Sequence, residues 1–212
     1  MNRTIPFREH FPIGKDAIHE RLVIIGRQIM DDLEREAGFD ANGIIHLTVV
    51  TALKGGFVFA ADLMRAFADH DGVPHLNLDC RVEFVRASSR PDSVTKHNEV
   101  GLSTSELSPA AIEGCNVLIA DDILDSGDTL RAIKSRILAM KPRSLKTAVL
   151  FDKVSRHGAE IRADYVAFEI PDKWVIGYGL DENGLFRNLP IVDILNPETG
   201  RPQSWRGRKH GK

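Results

Sequence analysis

An α/β fold built on a largely parallel central sheet flanked by helices is what this sequence predicts. Two observations carry it: β-branched apolar runs recur along the chain, and stretches of helical periodicity separate them. A third narrows it, because those runs are nearly continuous rather than alternating, as in strands covered on both faces. From Asp16 to Glu36 the residues Ile18, Leu22, Ile25, Ile29 and Leu33 recur at steps of three and four. That spacing predicts a helix with Asp16 as its cap and Gly38 as its stop. Ile44 to Val50 reads as a buried strand, after which Gly55-Gly56 opens a second helix over Phe57 to Phe67. Leu76 to Val85 is a further strand, and the polar segment Ala87 to Asn98, broken by Pro91, is a loop. Asn116 to Ala120 is a short buried strand leading to a helix from Asp128 to Met140, with Leu130, Ile133, Ile137 and Met140 turned inward. Leu145 to Phe151 and Tyr165 to Ile170 complete the set of strands. In such a sheet ligands sit at the carboxyl ends of the strands.

The chain has 212 residues, 42% of them apolar and 27% charged, which fits one globular domain and excludes a disordered or fibrous protein. No repeat or low-complexity block interrupts it. Lys plus Arg number 28 against 30 Asp plus Glu, a net charge of −2 that offers no global field for nucleic acid or an anionic membrane. The tail from Arg201 to Lys212 carries five basic residues and no acidic one, and reads first as a solvated terminus and second as a contact for nucleic acid or another polyanion. The start, MNRTIPFREHFP, lacks the apolar stretch of a signal peptide, and no run approaches a membrane span. The two cysteines, Cys80 and Cys115, have no metal-ligand spacing and suit a reducing compartment. The expectation is a soluble cytoplasmic protein.

The strongest chemical signal runs from Val117 to Leu130. A buried strand meets two adjacent carboxylates, Asp121 and Asp122, and then an Asp125-Ser126-Gly127-Asp128-Thr129 turn opens a helix. Such a turn is an anion site: Gly127 allows a left-handed backbone, successive N–H groups converge, and the helix N-terminus adds its positive dipole end. The hydroxyls of Ser126 and Thr129 add donors. Asp121 and Asp122 suit sugar hydroxyls or a hard cation. Helix capping alone would account for Asp125 or Ser126, but not for two more carboxylates beside them. A strand ending in Asp-Asp also occurs in P-loop NTPases, yet the required G-x-x-x-x-G-K-[ST] loop is missing. Lys54-Gly55-Gly56 sits between a strand and a helix, where glycine permits close approach of backbone to an oxyanion. Lys153 lies at a strand's carboxyl end, where a lysine is either a surface residue or a donor to a bound group. Trp174 lies among apolar residues, where core packing is the default.

Taken together these stretches resemble the type I phosphoribosyltransferases, and within them the bacterial hypoxanthine phosphoribosyltransferases. Leu53-Lys54-Gly55-Gly56 is similar to the family's pyrophosphate loop, Phe84 to Arg90 to the start of its mobile loop, and Asp121 to Leu130 to its phosphoribosyl-diphosphate (PRPP) segment. Phe151-Asp152-Lys153, the run Ile170 to Asp181, and Arg187-Asn188-Leu189-Pro190 are similar to its purine-binding part. Four motifs in order, spanning roughly Leu47 to Leu195, make the resemblance specific.

The resemblance implies a single domain over residues 1–212. Its core would span about 40–170 and a small hood would come from about 1–15 and 171–195. It implies an enzyme that joins PRPP to hypoxanthine, with guanine as a second base, giving IMP or GMP and pyrophosphate in purine salvage. Asp121 and Asp122 would hold the ribose hydroxyls near Mg2+, while Ser126, Gly127, Asp128 and Thr129 would form the phosphate loop that binds PRPP. The Asp128 carboxylate would turn to solvent. Asp125 would be the catalytic carboxylate at the purine imidazole ring. Lys54, Gly55 and Arg187 would take pyrophosphate, with a cis peptide at Leu53–Lys54. Lys153 would address the exocyclic oxygen, with Trp174 stacking on the base and Val175 meeting its edge through backbone. Asp181 would ligate a second Mg2+. Ser89 and Arg90 would belong to the closing loop, and Arg90 stands where the family usually has Tyr. A homodimer or homotetramer is implied as well. The competing expectations are a phosphoribosyltransferase for xanthine or a pyrimidine, and a non-catalytic PRPP-sensing regulator that binds nucleic acid.

Overall fold

A computed structural model describes residues 11–36, 38–67, 77–88, 101–103 and 107–205. The elements in chain order are α1 (Lys15–Glu36), β1 (Ile45–Leu53), α2 (Gly56–Arg65), β2 (Leu78–Ser88), β3 (Gly101–Ser103), α3 (Pro109–Ile112), β4 (Asn116–Leu124), α4 (Asp128–Leu138), β5 (Ser144–Asp152), β6 (Tyr165–Glu169), β7 (Val175–Ile176), β8 (Asp193–Asn196) and β9 (Arg201–Pro202). Six strands form one sheet in the order β3-β2-β1-β4-β5-β6. All pairings in it are parallel except β2 with β3. A second, antiparallel sheet joins β7, β8 and β9.

Burial explains the continuous apolar runs. Along β1, Leu47 and Val49 face α1 and α2, while Val50 and Ala52 face the opposite layer that contains α4. β4 divides in the same way, with Leu118 and Ala120 on one side and Val117 and Ile119 on the other. The periodic residues of α1 fill the first layer with Phe59 and Leu63 of α2, and Leu130, Ile133 and Ile137 of α4 fill the second. Each fully buried aliphatic side chain contributes about 1.5–3 kcal/mol, so truncating Leu63 to Ala should cost about 2–5 kcal/mol. A buried arginine ties α1 to the sheet edge: Arg21 Nε donates to the Ala167 carbonyl at 2.7 Å. The Tyr165 hydroxyl donates back to Asp32 at 2.7 Å.

The expected elements are present, with shifted ends. Asp16 is not the cap of α1: the Ile18 N–H bonds to the Gly14 carbonyl, so the helix begins two residues earlier than that cap implies and Asp16 lies in its first turn. β1 runs on to Leu53 because its parallel pairing with β2 continues to Arg86, and β2 runs further, to Ser88, because its last residues pair with the antiparallel β3. β4 likewise continues through Asp121, Asp122 and Leu124 rather than stopping at Ala120. Ile13, near the chain start, pairs with Val192 through backbone bonds of 2.8 and 3.0 Å, and so meets the segment leading to β8. Among the described residues no helix is long and apolar enough to cross a membrane.

Candidate functional site

A cleft of about 1010 Å³ opens at the carboxyl ends of β1, β4 and β5. Parallel strands deliver their last residues to this end of the sheet, which is why motifs about a hundred residues apart meet here. Lys54, Asp122, Asp125, Lys153, Trp174, Val175, Asp181 and Arg187 all line it. Leu180, Glu182 and Asn183 line it too, and these were not singled out in the sequence.

The loop after β1 forms one side. Its Leu53–Lys54 peptide is cis, as the resemblance implies. Gly55 has ordinary helical dihedrals (φ −62°, ψ −54°), so conformation does not require glycine there. Space does: a methyl on Gly55 would lie 1.8 Å from Asp122 Oδ2. The glycine admits a carboxylate of the protein itself, not only a bound oxyanion. Across from it the segment after β7 comes as close, since a methyl on Gly179 would fall 2.4 Å from the Gly55 carbonyl oxygen. Tyr178 holds that segment on α2 by donating to Asp62 Oδ2 at 2.5 Å. Arg187 Nη1 donates to the Gly179 carbonyl, and Nη2 pairs with Asp181 Oδ1, both at 2.5 Å. The other Asp181 oxygen accepts the Gly184 N–H at 2.6 Å.

Asp121 and Asp122 sit within β4, and the Asp122 N–H donates to Asp121 Oδ1 at 3.1 Å. Burial first, and then the neighbouring charge of Asp122, raises the Asp121 pKa well above the carboxylate range. Burial raises Asp122 as well, against the opposing pull of Asp121 and of the Arg187 charge. The pair is therefore poorly disposed to carry two negative charges until a cation or sugar hydroxyls meet it. As a magnesium site the donors fit in kind and number. Mg2+ is held through one or two carboxylates plus substrate phosphates, and Asp122 and Asp181 both line the cleft, although a cation at Asp181 would have to share its oxygens with Arg187 and the Gly184 N–H. Among the described residues no group of three or more ligating side chains converges, so the remaining ligands would have to come from substrate and water.

Beyond β4 the turn is led by Gly127 at φ 82°, the N-cap of α4. The Asp128 carboxylate lies at the surface, where it also accepts the Ser126 hydroxyl at 2.8 Å and Arg131 Nη1 at 2.6 Å. Three residues along the helix place that arginine within reach, and an anion at a helix N-terminus favours the pairing. The Asp128 N–H points at Ser126 Oγ, 3.4 Å away.

Asp125 is clamped by two cations. Lys153 Nζ lies 3.1 Å from Oδ2, and Arg156 Nε donates to Oδ1 at 2.9 Å. Partial burial opposes the Asp125 charge, but Arg156 and Lys153 outweigh it and hold the carboxyl below its usual range. Lys153 is almost wholly buried, and its N–H bonds to the Leu124 carbonyl at 3.0 Å, which fixes it at the end of β5 against β4. Asp172 Oδ1 stands 3.6 Å from Lys153 Nζ and 3.7 Å from Arg156 Nε. Arg156 was missed in the sequence, where an arginine four residues past a strand looks like any surface charge. Trp174 is not a core residue: 59% of it is exposed and it faces the cleft. Its backbone carbonyl accepts the Leu195 N–H at 2.8 Å, and the adjacent Val175 is buried in β7. Ser89 and Arg90 lie outside the described residues.

The phosphoribosyl transferase domain family matches residues 15–183. The chain is 41% identical over 149 residues to a hypoxanthine-guanine phosphoribosyltransferase of Aquifex aeolicus, covering 70% of this chain and 78% of that protein. To a hypoxanthine phosphoribosyltransferase of Haemophilus influenzae it is 34% identical over 180 residues, 85% and 91% of the two chains. Among solved structures, a ternary substrates complex of the Trypanosoma cruzi hypoxanthine phosphoribosyltransferase is similar at a TM-score of 0.75. It shares 34% identity, with 89% of this chain and 96% of that one covered. A hypoxanthine-guanine phosphoribosyltransferase from Bacillus anthracis gives 0.67 at 33% identity, covering 85% and 93%.

Proposed function

This chain belongs to the hypoxanthine-guanine phosphoribosyltransferases, and on that premise we propose that it transfers the phosphoribosyl group of PRPP to hypoxanthine, and to guanine, in purine salvage. The observation that carries the reading is the junction of two half-sites in one cleft. The Lys153–Asp125 pair and the exposed face of Trp174 suit a 6-oxopurine, and Lys54, Asp122, Asp181 and Arg187 beside them suit a diphosphate sugar.

In the reaction the bond from the anomeric carbon to the diphosphate breaks with its electron pair leaving on pyrophosphate. A purine ring nitrogen supplies the pair for the new C–N bond and loses its proton. The chain therefore has three tasks. Asp121 and Asp122 hold the ribose hydroxyls and set negative charge beside a sugar carbon that becomes cationic. Lys54 and Arg187 receive the leaving diphosphate, with the Gly55 backbone alongside. Asp125 takes or holds the purine proton, which requires its ionised form, the form that Lys153 and Arg156 favour. As the base enters, Lys153 turns its ammonium from Asp125 to the exocyclic oxygen, leaving Arg156 to keep the carboxylate ionised. An adenine amino group cannot accept that bond, and a buried donor left unmatched discriminates strongly. Mg2+ would be held by Asp181, and by Asp121 and Asp122 directly or through the ribose, and when bound it neutralises the diphosphate oxygens. The enzyme is placed in the cytoplasm and taken to be a homodimer or homotetramer.

The test is one assay of purified protein with PRPP, Mg2+ and a panel of bases. Hypoxanthine and guanine should be converted and adenine should not. Equal turnover of adenine, or turnover of no purine, would remove the reading.

A further inference from the structure

The turn that carries Lys153 and Arg156 to Asp125 is closed by a buried ion pair with no part in the reaction as described. His157 Nε2 lies 2.7 Å from Asp152 Oδ1, and Nδ1 lies 3.2 Å from the Gly158 carbonyl oxygen. The two side chains are only 5% and 10% exposed. Both partners are acceptors, so each ring nitrogen must carry a proton for both bonds to form. A neutral ring satisfies one and turns a lone pair toward the other. The geometry is that of an imidazolium held between a carboxylate and a carbonyl. The strand residue Asp152 stands immediately before Lys153, and His157 immediately follows Arg156, so the pair brackets both cations that grip Asp125.

Resting on the function proposed above, we infer that His157, in its protonated form, is a positioning residue: it locks the 152–158 turn so that Lys153 and Arg156 are presented to Asp125 and to the purine. The charged groups acting on the ring are Asp152 at the end of β5 and Glu160 in the following turn, while Lys153 and Arg156 are themselves turned to Asp125 and Asp172. Burial works against the charged ring, but the bonds to Asp152 and Gly158 and the charges of Asp152 and Glu160 outweigh it. Its pKa therefore lies above the ordinary 6.5. The sign follows. A raised folded-state value means the lock is complete in mild acid and is released as the pH rises through that value. Asp125, held below 3.8, does not titrate in that range. Purine capture should thus weaken toward alkaline pH through this turn, while PRPP, bound on the β4–α4 side, should not feel it.

The experiment compares His157→Gln and His157→Arg with wild type. The readout is the ratio of variant to wild-type KM for hypoxanthine at each pH from 6 to 9, in which the purine's own ionisation cancels. For the glutamine variant the ratio should be about tenfold at pH 6, the worth of one charge-assisted bond, and fall toward one at pH 9. For the arginine variant, which keeps its charge, it should stay near one in acid and drop below one in alkali. The KM for PRPP should move in neither. A ratio constant with pH, or an arginine variant that behaves like the glutamine one, would make His157 merely structural and overturn the inference. A second readout needs no turnover: in wild-type protein the His157 ring and the Lys153 amide should titrate together by NMR, above pH 6.5. Separate midpoints would overturn the inference. If no 6-oxopurine is converted at all, the proposed reaction fails while this titration still decides the role of the turn.

Discussion

Replacing Gly55 by alanine tests the diphosphate side of the cleft with a single carbon atom. The added methyl would sit 1.8 Å from Asp122 Oδ2, 2.7 Å from its carboxyl carbon and 3.1 Å from Oδ1. Ordinary contact begins near 3.4 Å, so the carboxylate must withdraw by about 1.5 Å or the loop must lift away by as much. The backbone at Gly55 tolerates alanine, so the strain falls on the contact rather than on the dihedrals. Overpacking of this kind costs about 1–3 kcal/mol of stability. Its effect on activity is larger, because a misplacement of about 1 Å in a positioned group can cost about 10²-fold. The assay is kcat/KM for PRPP at saturating hypoxanthine, alongside thermal unfolding. We expect a loss of about 10²-fold with the protein still folded. The same substitution made in an Asp122→Ala background should cost little more, since the clash has been removed. A Gly55→Ala enzyme within threefold of wild type, or an equal loss in both backgrounds, would refute the idea that this glycine makes room for Asp122.

Asp125→Asn should lower kcat by about 10²–10⁴-fold, the usual range for a general base, and leave PRPP binding nearly unchanged. A near wild-type rate would mean that the carboxylate only anchors Lys153 and Arg156. Trp174→Ala should raise the purine KM by about 5–150-fold, corresponding to about 1–3 kcal/mol of stacking on a base. It should shift thermal stability little, because the side chain is 59% exposed and packs mainly against solvent. A large loss of stability with an unchanged purine KM would return Trp174 to a packing role.

How far the sequence could be read depended on how local each cause is. The helix α1 and the five parallel strands of the sheet were legible because periodicity and β-branched runs report burial on one or both sides, whereas the three-residue edge strand β3 was not. Their ends were not, since β2 and β4 continue for as long as a neighbouring strand supplies partners, and neighbours are a property of the fold. The four-residue α3 and the two-residue strands β7 and β9 are too short to show any period. Within the site, Asp125, Lys153 and Trp174 were found through motifs. Arg156 and His157 belong to none, and their meaning comes from Asp125 31 residues away and Asp152 across a closed turn. Alternating glycines at 177 and 179 were the available hint of close contact. Both adopt positive φ, near 100° and 99°.

The backbone contact between Gly179 and Gly55 bears on how this enzyme could be re-engineered. The segment proposed to meet the base and the loop proposed to meet the leaving group approach each other at the Gly55 carbonyl, with the Val58 side chain beside it. A chimera that exchanges residues 171–195 for those of a relative with another base preference is therefore not an exchange of an independent cassette. It carries one half of a joint whose other half stays behind in the loop before α2. Such a graft should transfer base preference cleanly only if it brings glycine at 179 and an arginine at 187 able to reach the carbonyl of 179. A graft lacking either should show its defect first in the handling of pyrophosphate, at the end of the cleft that was never exchanged.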